Sequence, residues 1–257
     1  MRVKEKGFTL LEMVVSLAIV AILAGIAVPL IYQQITSDRI EETRAEMKMI
    51  YQAIMGKPES GTYGYVGDIG SLPAGLNDLL AKPAGVSSYA TYKNGVGYGW
   101  RGPYLNTQDN EIADGWGHEY RYAQPPDGAG QIRSAGADGI FGNADDILFP
   151  QNPVKIYGTL LVSTYVNGIP NPATTTVEIF YPQNGQEVTP TNLKLWTKQS
   201  NQDPTVWNGF TFSVVHGIRV IRLTYGSDPL KLVNVKVVAN KQVNQMVFTT
   251  SDLPVMP

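Results

Sequence analysis

Glu12 is the residue whose position most directly calls for chemistry. It is a lone carboxylate near the start of an apolar stretch, FTLLEMVVSLAIVAILAGIAVPLI, that runs for 24 residues from Phe8 to Ile31. An unpaired charge inside a membrane span costs roughly 2–3 kcal/mol or more. The stretch contains no basic side chain, so the nearest candidate cation is a free α-amine of Phe8, created by cleavage just before it. The alternative is that Glu12 lies shallow enough to reach interfacial water.

The second candidate site is an acidic segment that begins at Ser134. Asp138, Asp145 and Asp146 lie within nine residues of one another, together with two glycines and an amide. Crowded carboxylates repel unless a cation neutralises them, and glycine lets the backbone turn its carbonyl oxygens inward. Hard oxygen ligands suit Ca²⁺, which takes about 6–8 of them. The spacing is not that of an EF-hand, and an ordinary solvated acidic turn is the alternative.

Histidine and cysteine offer little further chemistry. The 257 residues include two histidines and no cysteine, which excludes disulfides, thiol catalysis and thiolate zinc sites. We predict packing or surface roles for His118 and His216. The GVGYG run at residues 95–99 lacks the strand-to-helix setting of a phosphate loop. We therefore predict no catalytic residues, and the formal charge of −2 gives no basic field for nucleic acid.

One long helix must position Glu12. At about 1.5 Å per residue, the apolar stretch covers roughly 36 Å, enough to cross a hydrocarbon core of about 30 Å. Residues 1–7 carry three bases and one acid, which places them in the cytoplasm by the positive-inside rule. Apolar residues then continue on one side of a helix, at Met47, Ile50, Tyr51 and Ile54. We predict a single helix from Phe8 to Met55, half in the membrane and half packed on a globular part.

Charge and composition divide the chain near residue 150. Residues 8–150 hold 9 bases and 16 acids, whereas residues 151–257 hold 8 bases and 5 acids. The stretch from Pro150 to Pro153 is typical of a linker. The last part alternates apolar and polar residues between turn signals, which indicates about seven strands in an antiparallel sandwich. We predict an α+β chain in four parts: a leader (1–7), the helix (8–55), a globular domain on a small antiparallel sheet (56–150) and an all-β, Ig-like sandwich (154–257).

The residues around Glu12 resemble a known processing junction. The sequence Lys6-Gly7-Phe8-Thr9-Leu10-Leu11-Glu12 is similar to the leader junction of type IV pilins and type II secretion pseudopilins. This resemblance implies cleavage between Gly7 and Phe8 by a prepilin peptidase and N-methylation of Phe8. It also implies that Glu12 meets the Phe8 amine of a neighbouring subunit during filament assembly, which would remove the buried charge only when the polymer forms.

Further motifs resemble the major pseudopilins of type II secretion. They are Trp100-Arg-Gly-Pro-Tyr104, Asp114-Gly-Trp116-Gly and Gly136-Ala-Asp-Gly139, in that order. In that family the last loop holds a structural calcium through aspartates and backbone carbonyls. The resemblance implies Asp138, Asp145 and Asp146 as ligands, with Ser134 and its neighbours as carbonyl donors. The family's usual Asp-Pro-Trp-Gly is Asp-Gly-Trp-Gly here, and the loop is short.

The C-terminal part resembles carboxypeptidase-regulatory, transthyretin-like domains. The similar segments are Gly158-Thr-Leu-Leu-Val and Val177-Glu-Ile-Phe-Tyr. This resemblance implies a binding or structural module without hydrolase activity.

Taken together with the residues, these resemblances imply a structural pseudopilin of type II secretion and not an enzyme. It would be held in the bacterial inner membrane by one span, with its globular part in the periplasm and a bound Ca²⁺ that raises thermal stability. Its expected partners are further copies of itself, other pseudopilins, the prepilin peptidase and the inner-membrane assembly platform, with a cytoplasmic ATPase driving polymerisation. The alternative is a type IV pilin or minor pilin that displays the sandwich for adhesion or surface binding.

Overall fold

A computed structural model of the chain describes residues 9–91, 95–106, 112–123, 129–166, 169–170, 175–187, 210–225 and 228–249. One long helix is followed by short elements and then by longer β-strands, so the predicted α+β class is confirmed.

Helix α1 spans Leu10–Met55, a length of 46 residues, and Pro29 lies inside it without ending it. In its second half the apolar residues Met47, Ile50 and Ile54 are buried, whereas its first half is exposed along its whole length. The helix ends at Gly56, whose amide donates to the Gln52 carbonyl and whose φ of +74° suits glycine. The predicted long helix with one packed half is therefore confirmed.

A small antiparallel sheet packs against the second half of α1. It consists of β3 (Arg121–Tyr122), β4 (Ile132–Ser134) and β5 (Ile147–Phe149), in that order. The Phe149 ring meets the Tyr51 ring edge-on, with centroids 5.5 Å apart. The same part of the chain contains α2 (Gly64–Ile69), the hairpin β1 (Ala90–Thr91) and β2 (Gly97–Tyr98), and 3-10 turns at Pro58–Ser60, Leu76–Leu79 and Gly136–Asp138.

Two further sheets face each other in the C-terminal part. One has β6 (Tyr157–Val166) at its centre with β11 (Phe210–Val215), β14 (Gln242–Thr249) and the short β7 (Ile169–Pro170). The other has the order β13 (Asp228–Val237), β12 (Gly217–Tyr225), β8 (Thr175–Phe180), and β9 (Pro182–Gln183) pairs separately with β10 (Gln186–Glu187). Alternate residues of both sheets form a shared core, among them Leu160, Val162, Ile179, Phe212, Ile221 and Val235.

The expectation of a purely antiparallel sandwich is wrong at the last strand, because β14 runs parallel to β6 from Gln242↔Thr159 to Thr249↔Val166. The reason lies in the turn that follows β13, where Asn240 adopts a φ of +57°. The Asn240 amide donates to the Tyr157 carbonyl, which places this turn beside the start of β6. The chain therefore crosses from one sheet to the other at that end and must run in the same direction as β6.

The C-terminal strands are in direct contact with the first part of the chain. At the corner between β11 and β12, His216 Nε2 lies 2.7 Å from the Met55 carbonyl and Arg219 Nη1 lies 3.0 Å from the Gly67 carbonyl. On the outer face of β8 and β12, Phe180 and Val220 pack against Val96 of the β1–β2 hairpin. The C-terminal strands are thus packed against the N-terminal part over several separate contacts.

Candidate functional sites on the helix and in the acidic loop

The first turn of α1 positions Glu12. The Thr9 hydroxyl accepts a hydrogen bond from the Glu12 amide at 3.2 Å, and Glu12 Oε2 accepts bonds from the Thr9 amide and hydroxyl at 3.0 Å each. This reciprocal arrangement is a capping box, and its Thr-x-x-Glu signature is visible in the sequence. Our sequence analysis considered only the Phe8 amine as a partner of Glu12 and so missed Thr9. Gly7 and Phe8, the predicted processing residues, lie outside the described residues.

The first half of α1 presents large apolar side chains to its surroundings. Leu10 is 83% exposed, Leu17 66% and Ile22 65%, values that would be costly in water for so many neighbouring side chains. This part of the helix is long and apolar enough to cross a membrane. An exposed apolar surface of this size fits burial in lipid or against other copies of the helix.

The three predicted aspartates of the acidic loop point their carboxylates at amide groups of the loop itself. Asp138 accepts hydrogen bonds from the Ile140 amide and the Asn143 side chain, at 2.8 Å and 2.7 Å. Asp145 Oδ2 accepts a bond from the Ala137 amide at 2.9 Å. The conformation of the loop is therefore stabilised by its own carboxylates, which accept hydrogen bonds from amide groups that would otherwise bind water.

Asp146 is the most enclosed of the three. Its Oδ2 accepts bonds from the Gly142 amide at 2.8 Å and from Arg133 Nη1 at 2.9 Å, and its side chain is only 6% exposed. The Gly142 amide first, and then Arg133, hold the pKa of Asp146 below its usual range. Its Oδ1 is buried and has no hydrogen-bond partner in the described part of the chain. A buried carboxylate oxygen with a free lone pair is an acceptor for a cation or an ordered water.

The Ser134 hydroxyl contacts Asp114 and the Gly136 amide. It is buried, donates to Asp114 Oδ2 at 2.5 Å and accepts from the Gly136 amide at 3.0 Å. Of Ser134, only the backbone carbonyl therefore remains as a possible calcium ligand, and this is the group that the resemblance implied. Across the described residues no three His, Asp or Glu side chains converge as a ready-made metal cluster. The donor set of carboxylates and carbonyls fits a hard cation such as Ca²⁺, but binding would have to replace hydrogen bonds that the carboxylates now accept.

Asp114 connects the acidic loop to α1, a role that the sequence analysis did not assign. Its Oδ1 accepts bonds from the Trp116 and His118 amides, at 3.0 Å and 2.9 Å, while Oδ2 binds Ser134. Between them, the Gly115 amide donates to Thr43 Oγ1 of α1 at 3.0 Å. The sequence Asp114-Gly-Trp-Gly contains a signal for this role, because an Asp close to glycines favours a turn in which the side chain accepts from the backbone.

The two histidines have contacts rather than catalytic geometry. His118 Nδ1 lies 3.1 Å from the Gly136 carbonyl, so the ring packs on the acidic loop with part of its surface exposed. His216 is buried, and its Nδ1 accepts a bond from the Ala239 amide at 3.1 Å while Nε2 donates to Met55. Burial first, and then the nearby Arg219 charge, lower the pKa of His216.

A charged cluster that sequence analysis missed lies beside α2. Asp68 is 5% exposed and accepts a bidentate pair from Arg101, with Oδ1 and Oδ2 at 2.7 Å and 3.0 Å, and a third bond from the Tyr104 hydroxyl at 3.1 Å. Burial raises the pKa of Asp68 although Arg101 opposes this shift. Both Asp68 oxygens accept hydrogen bonds from Arg101 or Tyr104, so the cluster fixes the Trp100–Tyr104 turn and leaves no free carboxylate oxygen.

Comparison with known families identifies two segments of the chain. Residues 2–28 match the prokaryotic N-terminal methylation motif, and residues 31–148 match type II secretion system (T2SS) protein G. The second match ends just before the strands that begin at Tyr157, so the C-terminal strands lie outside both matches.

Individual relatives give the same result. The chain is 33% identical to type II secretion system core protein G of Xanthomonas campestris over 54% of this chain and 82% of that protein. It is 30% identical to core protein G of Pseudomonas aeruginosa over 56% of this chain and 92% of that protein. Among solved structures, a minor pilin of Streptococcus agalactiae, GBS52, matches 53% of this chain and 66% of its own at 18% identity and a TM-score of 0.26, which is too low to support an argument.

These matches confirm the predicted resemblance for the N-terminal methylation motif and the segment up to residue 148. Core protein G is a structural pseudopilin, so the expectation of a non-enzymatic role is confirmed through the family. The apolar helix together with the family fits single-pass anchoring in the inner membrane. This chain belongs to the type II secretion system core protein G family.

Proposed function

We propose that this chain polymerises into a periplasmic pseudopilus that drives export of folded proteins across the outer membrane. The observation that carries the proposal is the division of α1, which is exposed and apolar over its first half and packed on the globular part over its second half. Such a helix can span the inner membrane once, with its apolar first half in contact with lipid. On polymerisation this half would leave the lipid and pack against the first half of α1 in other copies. The cytoplasmic ATPase and assembly platform would supply the force for that exchange.

Processing of the N-terminus would prepare the subunit for this exchange. Cleavage between Gly7 and Phe8 by the prepilin peptidase would create the Phe8 amine, which is then methylated. In the separate subunit Glu12 is held by Thr9 through a capping box. On assembly the Phe8 amine of a neighbouring copy would place a full positive charge beside the Glu12 carboxylate. In a low-dielectric surrounding this charge stabilises the carboxylate more than the partial charges of the Thr9 amide and hydroxyl do.

The acidic loop would bind one structural Ca²⁺. Asp138 and Asp145 are exposed, Asp146 has a buried oxygen without a partner in the described residues, and Ser134 ends β4 at the start of the loop. Bound Ca²⁺ would neutralise the repulsion among these carboxylates and tie both ends of the loop together. In a chain without cysteine it would replace the covalent closure that a disulfide could give.

The C-terminal strands, proposed as a separate domain over residues 154–257, would form a binding or structural module on the filament surface. Their position outside the family match also favours the alternative function, a type IV or minor pilin that displays this module for adhesion. The family membership of the first part favours secretion, and we rank it first for that reason.

A deletion strain of the source organism distinguishes the secretion function from the pilin function. The extracellular and periplasmic proteins of the deletion and parent strains are compared, and surface filaments are counted in the same cells. The proposal requires specific secreted proteins to remain in the periplasm while surface pili persist. Intact secretion combined with loss of pili or adhesion would assign the chain to the pilin class instead.

A further inference from the structure

The second half of α1 carries an acidic stripe and a basic stripe, and Glu41 lies one turn before Arg44 on the side of the basic stripe. Asp38, Glu42 and Glu46 follow one another at intervals of four residues, and Arg44 and Lys48 do the same. At 3.6 residues per turn, Glu42 and Lys48 lie about 120° apart around the helix axis. Thr43 and Met47 are buried against the globular part, so the stripes border the two sides of the exposed helix face.

The acidic stripe does not help the isolated subunit. Like charges four residues apart on a helix destabilise it by a few tenths of a kcal/mol per pair. Burial chiefly, and to a smaller extent the neighbouring Glu42 and Asp114 charges, raise the pKa of Glu46, although the Tyr120 hydroxyl donates to it at 2.7 Å. Inside the described part of the chain, Glu42, Arg44 and Lys48 form no ion pair within 4.0 Å, and all three are exposed.

The basic stripe borders a groove between α1 and β5. Arg44 and Lys48 line it together with Asp146, residues 147–149 and Gln151, and its volume is about 420 Å³. The charge of Asp146 is already matched by Arg133 at 2.9 Å. The groove therefore has an apolar floor and a positively charged rim, and an acidic helix segment is a complementary occupant.

A filament built from one kind of chain needs a contact of this type. Copies that repeat along a helix meet through two different surfaces, so each copy must present both complementary sides. The acidic and basic stripes supply the two complementary surfaces, and both lie over nearly the same stretch of α1. We propose that the acidic stripe of one copy, centred on Glu42, docks into the Arg44–Lys48 groove of the next copy. This inference rests on the proposed polymerisation.

The axial offset of this contact agrees with the offset proposed for the membrane segment. The Glu42 of the docking copy must lie level with the midpoint between Arg44 and Lys48 of its neighbour. The docking copy must therefore be shifted by four residues, about 6 Å of helix, toward the C-terminal end of the neighbouring α1. To bring the Phe8 amine level with Glu12 of its neighbour, the shift is again four residues in the same direction. One translation between copies therefore satisfies both charge pairs.

Charge reversal in the full-length chain tests the inference. Glu42→Lys alone and the double substitution Arg44→Glu with Lys48→Glu each place like charges across the contact, and we expect filaments sedimented from producing cells to fall about tenfold. The triple variant restores opposite signs, and its yield should return to within about twofold of the parent. The matched control combines Arg44→Glu and Lys48→Glu with Glu59→Lys instead of Glu42→Lys. Glu59 is an exposed acid outside the helix, so this control should not restore the yield.

Unchanged filament yield in the reversal variants, or a triple variant no better than they are, would overturn the inference while leaving the proposed function intact. A second measurement covers a triple variant that fails to fold. Because the chain has no cysteine, Glu42→Cys with Lys48→Cys can be joined by a short bis-maleimide only between introduced thiols. A ladder of linked copies is expected for this pair, and its absence in assembled filaments overturns the contact. A parent chain that forms no filaments at all overturns the proposed function, and this inference with it.

Discussion

At the scale of single residues, two buried polar side chains, Arg219 and His216, bind backbone groups of distant segments as well as nearby ones. Arg219 is fully buried, and its guanidinium donates to the carbonyls of Val215, Gly67, Ile218 and His216. Burial lowers its pKa to about 9. His216 lies next to it, 161 residues along the chain from the Met55 carbonyl that it contacts. These two side chains connect the C-terminal strands to α1 and α2 through specific hydrogen bonds.

The neutral form of His216 is required by this arrangement, which leads to a pH prediction. Nε2 must carry the proton donated to Met55, and Nδ1 must be free to accept from Ala239, so a second proton would oppose the Ala239 amide. Because the folded chain lowers the pKa of His216, the unfolded chain binds the proton more readily. We expect the contribution of His216 to the free energy of unfolding to be constant above about pH 6.5 and to fall below it, by at most about 1.4 kcal/mol per pH unit.

The measurement is the thermal midpoint of the full chain in detergent, from pH 8 down to pH 5. His216→Gln keeps a donor toward Met55 but cannot titrate, so its midpoint should be lower overall and fall less steeply over the same range. His118→Gln is the matched control and should keep the steep fall of the parent. Equal slopes in the parent and His216→Gln would contradict this role of His216.

At the scale of elements, the Asp114-Gly-Trp-Gly turn determines how closely α1 approaches the acidic loop. Gly115 has no side chain, and a Cβ there would lie 2.7 Å from the Arg39 carbonyl oxygen of α1. Its amide also donates to Thr43 Oγ1. The turn is therefore held to the helix on one side and, through Asp114 and Ser134, to the acidic loop on the other.

Gly115→Ala should destabilise the chain by about 1–3 kcal/mol, because the added methyl group must displace backbone on one side or the other. The free energy of unfolding in urea measures this loss. Gly75→Ala is the matched control, since no atom lies within 4 Å of a Cβ at that position and its φ of −157° suits any residue. If both substitutions lowered stability equally, the close approach of the turn to α1 would not be the cause.

Calcium should stabilise the acidic loop as an element. At a free concentration a hundredfold above its Kd, Ca²⁺ is expected to add about 2.7 kcal/mol to the free energy of unfolding, since only the folded loop gathers the ligands. The thermal midpoint in excess Ca²⁺ should exceed that in excess chelator, and Asp138→Asn should reduce this difference. The control is Glu59→Gln, which removes an exposed charge elsewhere. An identical midpoint with Ca²⁺ and with chelator would rule out the proposed calcium site.

Sequence and structure agree where local pattern decides the outcome. The run of apolar residues and their later spacing on one face correctly predict α1 up to Met55, and alternation correctly predicts most of the C-terminal strands. Partners far apart in sequence were not predictable, as for Asp68 with Arg101 or His216 with Met55. The parallel pairing of β14 also escaped prediction, because it depends on the place where a turn after β13 docks rather than on the residues of β14.

At the scale of the whole molecule, the chain combines a membrane-compatible helix with a globular part that is enlarged by the C-terminal strands. The family match covers residues 31–148, while the strands from Tyr157 onward pack on that part through Arg219, His216 and the β1–β2 hairpin. A module fixed in this way would occupy a defined position on each subunit of a filament. Space for it must therefore exist between neighbouring copies or on the outer surface.

Exchange of the chromosomal copy for a Glu12→Ala variant is the most direct test of the central claim, that assembly through α1 drives export. The measured quantity is the partition of normally secreted proteins between the periplasm and the medium. We predict that they accumulate in the periplasm, while the variant chain remains in the inner membrane with Phe8 as its first residue. Secretion at the parental level by the Glu12→Ala strain would contradict the account.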